Sequence, residues 1–463
     1  MSAVPNILLI TADQLRYDCL GFNNLRPVHT PHIDRLAGES MRFDHAFTHI
    51  PLCSPARQSL LTGRRPESFG ALWNYGISLP VPALPPESYA WPRELAARGY
   101  RNVFIGKWGV NPDHDATRYG YDDYIGEQQY TQFVKENYPD VSYSNGYFGE
   151  TNPVPLEHAR THWLAQRAVE ALEELCRGES PWHLALHFPE PHLPCRPSEP
   201  YASMYDPRHV PQWESFRETF QHKPYIQRQQ LYNWGIQDFT WDDWAPIVAR
   251  YYGVISQLDD AIGRVLHTLE RLGAEDRTVI IFTADHGDLC GGHRMIDKHY
   301  VLYDDLVRVP LLVKWKGVVA PGAMCDRFVH PFLDLPPTIL EMLHIDPPGF
   351  FHGASLLPLL RGEDVPGWRE AAVSTYNGQQ FGLYTQRMIR TKEWKYIWNT
   401  TDIDELYCLI DDPAELVNRI HDPACAGIVQ QLRQQLYRTL SEQGDGLVRT
   451  RWMRDQLLLG NKL

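Results

Sequence analysis

Five short runs of apolar residues, separated by longer stretches with helical periodicity, constrain the folding of this chain more than any other feature. The runs are Asn6 to Thr11, Asn102 to Gly106, His183 to Phe188, Thr278 to Thr283 and Val309 to Trp315. Near-continuous apolar runs of this length are strands covered on both faces, as in a mainly parallel sheet. The helical segments between them include Pro92 to Arg98, with its proline at a first helical position, Thr161 to Arg177, and roughly Ala245 to Leu272. Strand and helix in alternation predict an α/β sandwich around a mainly parallel central sheet. With 463 residues, 43% of them hydrophobic, the chain can bury a large core and is long enough for two unequal domains. The Pro- and aromatic-rich stretches 120–155 and 196–245 are expected as insertions over one face of the sheet, where they shape a pocket.

Past residue 370 the pattern changes. Gln386 to Asn399 reads as two strands joined by a tight turn, and a helix is expected from about Gly427 to Gln443. The division predicted is therefore 1–370 for the large α/β domain and 371–463 for a small α+β subdomain.

Charge and composition exclude several classes. A net charge of -13 argues against non-specific nucleic-acid binding, which needs a broad basic face. The opening segment MSAVPNILLITADQ lacks a basic leader region and reads as a first strand, and no apolar stretch reaches membrane-spanning length. Eight cysteines without paired spacing suit reduced thiols, so a cytoplasmic location without membrane association is expected. Nothing in the pattern decides between a monomer and a homo-oligomer.

The densest chemistry lies in Cys53-Ser54-Pro55-Ala56-Arg57, followed by Leu61-Thr62-Gly63-Arg64. A lone cysteine is usually a small buried hydrophobe, so other segments must carry the argument. The segment resembles the sulfatase signature, C-x-P-x-R ahead of a short helix ending in L-T-G. The resemblance implies an alkaline-phosphatase-like sandwich, with Cys53 oxidised to formylglycine by a formylglycine-generating enzyme. In that family the aldehyde hydrate attacks a sulfate ester with one hydroxyl and uses the other to release the sulfate.

Two strand ends supply a candidate metal site. The first run ends in Asp13-Gln14, and the run at 278 ends in Asp285-His286. The carboxyl ends of neighbouring strands in a doubly wound sheet converge on one crevice. Two carboxylates, an amide oxygen and an imidazole make a mostly hard site, favouring Ca2+ or Mg2+, with Mn2+ accommodated by the imidazole. Taken singly, either aspartate could merely cap a following helix. The sulfatase resemblance implies that Asp13, Gln14, Asp285 and His286 bind the metal and that the group derived from Cys53 completes the shell.

Further segments resemble the family's anion-binding parts. Lys107, in Gly106-Lys107-Trp108-Gly109, would contact the sulfate and the hydrate. His192, in Pro189-Glu190-Pro191-His192-Leu193-Pro194, would lie near the leaving group, and Lys298 resembles the second sulfate-binding lysine. Arg57 would hold the hydrate, and His192 or Lys298 would protonate the departing alcohol. His299 is either the neighbour of Lys298 in the pocket or a helix-start residue, with the second reading favoured. Near the C-terminus, Glu405-Leu406-Tyr407-Cys408 resembles a stretch of the sulfatase C-terminal subdomain, with Cys408 where that pattern has Asp.

The departures are specific. Gln14 stands where most sulfatases have Asp, His286 where many have Asn, and Gly109 where a supporting His is usual, with His114 the nearest substitute. Asp-Gln with Asp-His, and Asn74 in Trp73-Asn74-Tyr75-Gly76 as a donor to the anion, also resemble the phosphonate monoester hydrolase branch. The expected function is sulfate-ester hydrolysis on a small anionic substrate, a sulfated sugar or an aryl sulfate. The alternatives are a phosphonate monoester hydrolase or phosphodiesterase with the same nucleophile, a metal phosphatase or phosphomutase without formylglycine, and a metal-binding protein without catalysis.

Overall fold

The computed structural model describes residues 4–77, 80–379 and 381–462. Eight strands form the main sheet: β1 (Asn6–Asp13), β2 (Met41–Ala46), β3 (Arg101–Gly106), β4 (Asp123–Gly126), β5 (Trp182–Pro191), β6 (Thr278–Ala284), β7 (Leu311–Lys314) and β8 (Met324–Val329). Their spatial order is β4-β3-β5-β1-β6-β7-β2-β8. The five neighbours β4, β3, β5, β1 and β6 run parallel, β7 is antiparallel to both β6 and β2, and β2 is parallel to β8. The mainly parallel α/β sandwich expected from the apolar runs is the observed architecture.

All five expected runs are strands. The strands β2, β4 and β8 were not anticipated, because Met41–Ala46 and Met324–Val329 interleave charged residues with apolar ones and Asp123–Gly126 is four residues long. The stretch 120–155 is therefore more than an insertion. It contributes the edge strand β4 and then a helix, Glu127–Asn137.

Every residue of β1 and β6 is buried, and their register places Ala12 opposite Ala284. Asp13 and Asp285 are thus the next residues along two adjacent parallel strands, which sets both carboxylates at one end of the sheet. The helices Arg160–Leu175 and Trp241–Arg271 pack on each other and on β5, while Cys53–Thr62 packs on Pro331–Met342.

A second, antiparallel sheet is built from β9 (Ala372–Gln379), β10 (Gly382–Arg390), β11 (Trp394–Asn399) and β12 (Glu405–Cys408), in the order β12-β11-β10-β9. Successive side chains on a strand point to opposite faces, and here each face has its own core. Met388, Ile397 and Tyr407 join the main core, whereas Ile389, Tyr396, Trp398 and Leu406 pack with Leu432 and Leu436 of the helix Ala426–Glu442. The C-terminal sheet is sandwiched between the main body and its own helix.

Candidate active site

The helix Cys53–Thr62 begins with Cys53 and ends at Gly63, whose φ of 68° and N–H bond to Ser59 O (2.8 Å) form a left-handed cap. Pro55 falls in the first turn, where its missing N–H has no intrahelical partner to lose. Residues four apart share a helix face, so Cys53 and Arg57 project together. Both turn onto the carboxylates at the strand ends.

Four side chains converge there. The ligand-type atoms of Asp13, Cys53, Asp285 and His286 all lie within 4.8 Å of one another, and all four residues are buried. Cys53 Sγ is 3.5 Å from Asp13 Oδ1 and 3.3 Å from His286 Nε2. His286 Nδ1 lies 2.9 Å from Gly287 O, a distance at which it donates its proton there and leaves the Nε2 lone pair facing the group. Arg57 Nη2 bridges Asp13 Oδ2 and Asp285 Oδ2 at 3.0 Å each, and its Nη1 reaches Lys107 O at 2.9 Å and His187 Nδ1 at 3.1 Å. Lys107 Nζ is 2.5 Å from Asp13 Oδ2. Burial alone would raise the Asp13 pKa; Lys107, His192 and Arg57 outweigh it and hold the carboxylate well below its usual range.

A second cluster adjoins the first. Gln14 has a φ of 67°, and this left-handed turn is held by its N–H bond to Asp285 Oδ1 (3.1 Å) and by the Tyr251 hydroxyl donating to its carbonyl (2.8 Å). Its side-chain Nε2 donates to Asp288 Oδ2 (2.7 Å) and Asp297 Oδ1 (2.9 Å), and its Oε1 accepts from Lys298 Nζ (2.7 Å). The Gln14 amide is thereby engaged with Lys298 and two further carboxylates. Lys298 Nζ also lies 2.8 Å from His192 Nε2 and 3.2 Å from Asp297 Oδ1. His192 Nδ1 donates to Leu193 O (2.6 Å), so Nε2 is the acceptor facing Lys298. Burial, Lys298 and Lys107 together push the His192 pKa down, while burial of Lys298 is overcome by Asp297, which raises its pKa. Burial and the neighbouring Asp297 push the Asp288 carboxyl up to about 7. The result is a charged lysine hydrogen-bonded to a neutral histidine beside the carboxylate group.

Nine of the ten residues singled out in the sequence are linked by these contacts. The tenth, Asn74, accepts the Ser54 N–H through Oδ1 (2.9 Å) and donates its own N–H to Gln379 Oε1 of β9 (3.3 Å). His114 is not brought in: it is exposed, and its main-chain carbonyl accepts the Trp108 indole N–H. The absence of a side chain at Gly109 has a structural reason, since its φ is 63° and a Cβ there would sit 2.8 Å from Arg57 Cδ. His299 does not start a helix. It lies in the turn ahead of Asp304–Val307, with Nε2 2.8 Å from Asp297 Oδ2.

Sequence reasoning missed His187, Asp288 and Asp297. His187 reads as one more buried strand residue, and only the helix bearing Arg57 makes it a neighbour of the site. Asp288 and Asp297 stand inside segments already singled out. Their partnership through Gln14 joins positions more than 270 residues apart and leaves no local pattern.

Comparison with known proteins decides the family. The sulfatase family model matches residues 5–345, and a model for the C-terminal part of N-sulphoglucosamine sulphohydrolase matches residues 291–442. The chain belongs to the sulfatase family. It is a sulfuric ester hydrolase of the alkaline phosphatase superfamily. The arylsulfatase of Clostridium perfringens is 27% identical, aligned over 96% of this chain and 95% of that one. The N-acetylglucosamine-6-O-sulfatase of Bacteroides thetaiotaomicron is 23% identical over 95% of this chain and 87% of its own. Among solved structures, the phosphonate monoester hydrolase of Agrobacterium radiobacter superposes with a TM-score of 0.79 at 26% identity, covering 95% of this chain and 96% of that one. Among the described residues, no helix is long and apolar enough to cross a membrane.

Proposed function

We propose that this sulfatase hydrolyses sulfate esters of sugars, using a formylglycine derived from Cys53 and one divalent cation, with Ca2+ favoured over Mg2+ or Mn2+. The observation that carries the reading is the approach of Cys53 Sγ to Asp13 and His286, with all four candidate ligand residues within 4.8 Å of one another. Two carboxylates and an imidazole whose free nitrogen faces them fit such a cation. Asp13, Asp285 and His286 would hold it, with Gln14 beside them. When bound, it would neutralise sulfate oxygens and lower the pKa of the attacking hydroxyl.

The chain's own residues do the rest. Arg57 fixes both carboxylates. Lys107, whose side chain keeps 18% of its surface exposed, faces the cavity and offers its charge to the transferred anion. Lys298, 3% exposed, supplies a second charge, and either Lys298 or His192 protonates the departing alcohol. Preorganised donors of this kind are worth about a hundredfold in rate or more each. The division into a catalytic body over 1–370 and a subdomain over 371–463 belongs to the same reading. So does a cytoplasmic setting, where the maturing enzyme that oxidises Cys53 would act. Sugar sulfates are favoured because the relative from Bacteroides thetaiotaomicron is an N-acetylglucosamine-6-O-sulfatase.

A second reading has its own support. Gln14, His286 and Asn74, together with the fold likeness to a phosphonate monoester hydrolase, favour phosphonate or phosphate esters with the same nucleophile. The test is the mass of the peptide spanning Cys53 after co-expression with a formylglycine-generating enzyme, paired with kcat/KM on sulfate, phosphate and phosphonate esters. Conversion with sulfate preference is expected. An unmodified thiol in an active enzyme, or a larger kcat/KM on phosphonates, would overturn it.

A further inference from the structure

A cavity of about 500 Å³ opens directly beside Lys107 and His192. It is walled by the helix Glu127–Asn137, the Tyr143 loop and the segment that runs from β5 through His192 to Arg196. Its charges are not equivalent. Arg160 is held by Glu190 (2.7 Å) and Glu127 (3.4 Å), and Lys107 by Asp13. Lys135 and Arg196 make no ion pair among the described residues; Lys135 is exposed, whereas Arg196 is half-buried and its buried Nε has no hydrogen-bond partner. The Arg196 guanidinium carbon lies over Tyr143, 3.7 Å from the ring centroid, a contact that holds the side chain without consuming its donors. Glu190, 8% exposed, also has one buried carboxylate oxygen, Oε2, without a donor.

We propose that this cavity is a sugar subsite in which Arg196 anchors a second anionic group, a carboxylate or a further sulfate, on the sulfated saccharide being hydrolysed. The inference rests on the sulfated-sugar reading above. Arg196 stands four residues beyond His192, so even fully extended chain separates the two backbones by no more than about 14 Å. Because Lys107, His192 and Arg196 line one cavity, the second anion sought is one on the same ring as the reacting ester or on its immediate neighbour. A planar guanidinium with free N–H groups matches a carboxylate or sulfate bidentately, and the free oxygen of Glu190 accepts a sugar hydroxyl.

The test compares kcat/KM on a hexosamine 6-sulfate with that on the same sugar carrying a second sulfate, and with the 6-sulfated hexosamine linked to a uronic acid. These two arms distinguish sulfate from carboxylate. The matured wild-type enzyme is expected to prefer one of the dianionic substrates about tenfold or more. Arg196→Gln should lower that preference about tenfold to a hundredfold, mainly through KM, as expected for one charge-assisted interaction. Arg196→Lys should restore part of it. Because Arg196→Gln could unfold the loop, the wild-type preference is also measured against salt, and it should shrink as the ionic strength rises from about 0.1 M to 1 M. Sugar sulfates turned over with no preference for a second anion, or a preference unchanged in Arg196→Gln or by salt, would overturn the subsite alone. Hydrolysis of 4-nitrophenyl sulfate without turnover of any sugar sulfate would overturn the sugar reading and the subsite together.

Discussion

Replacing Arg57 by Gln tests the electrostatic logic of the centre most directly. Arg57 Nη2 is 3.0 Å from one oxygen of Asp13 and 3.0 Å from one of Asp285, and both carboxylates are fully buried. Removing one partner of such a buried group leaves uncompensated charge, at about 3–5 kcal/mol. The lost bond to Lys107 O adds about 1 kcal/mol. Unfolding entropy near 2.1 cal/mol/K per residue gives about 1 kcal/mol/K for 463 residues unfolding as one unit, so Tm should fall by roughly 4–6 °C. That figure applies in chelator. A divalent cation on the same two carboxylates would supply the missing positive charge, so saturating Ca2+ should stabilise Arg57→Gln more than wild type and close at least half the gap. The assay is thermal unfolding of both proteins in EDTA and in Ca2+. An equal Ca2+ effect on the two, or no loss of Tm in EDTA, would refute the claim that Arg57 and the cation share the Asp13–Asp285 pair.

Two further outcomes follow from particular contacts. Gly109→His, which restores the residue usual in the family, should lower kcat/KM and Tm together, because position 109 has a φ of 63° and its Cβ would lie 2.8 Å from Arg57 Cδ; higher activity on an aryl sulfate would contradict this. Burial raises the Glu218 pKa, but His293 and Lys223 outweigh it and bring the carboxyl from 4.5 down to about 2. A depressed acid contributes stability that is complete above its unfolded pKa and is lost as pH falls through its folded one, here about 3 kcal/mol between roughly pH 4.5 and 2. Glu218→Gln should flatten stability over that window, as followed by urea unfolding at a series of pH values, and an unchanged slope would count against the pair.

The main sheet was readable because its inner strands are buried on both faces. A strand such as Thr278–Ala284, with every residue buried, carries no charged residue and is β-branched or aromatic at most positions, and its shortness separates it from a buried helix. The outer strands, half solvated or four residues long, carry no such mark. Cys53 and Arg57 were legible through their resemblance to the sulfatase signature, and Asp13 and Asp285 through their strand-end positions.

Residues whose roles depend on partners far along the chain were not legible. The amide of Gln14, expected among the metal ligands, bonds Lys298, Asp288 and Asp297, partners that no local pattern connects to position 14. Asn74 owes part of its placement to Gln379 of the second sheet, which no local pattern connects to position 74. Arg196 looked like one residue of a Pro-rich insertion, and only the cavity wall it forms with Tyr143 gives it a substrate to face.

Periodicity and strand-end positions determined the architecture and the placement of the Asp13 and Asp285 carboxylates, because these are consequences of burial and of repeat geometry within a few residues. The tertiary structure alone decided how the cations are shared among the buried acids and which arginine is left free. A charge buried in low dielectric is governed by whatever lies within a few ångströms, and in this fold those neighbours come from segments hundreds of residues apart.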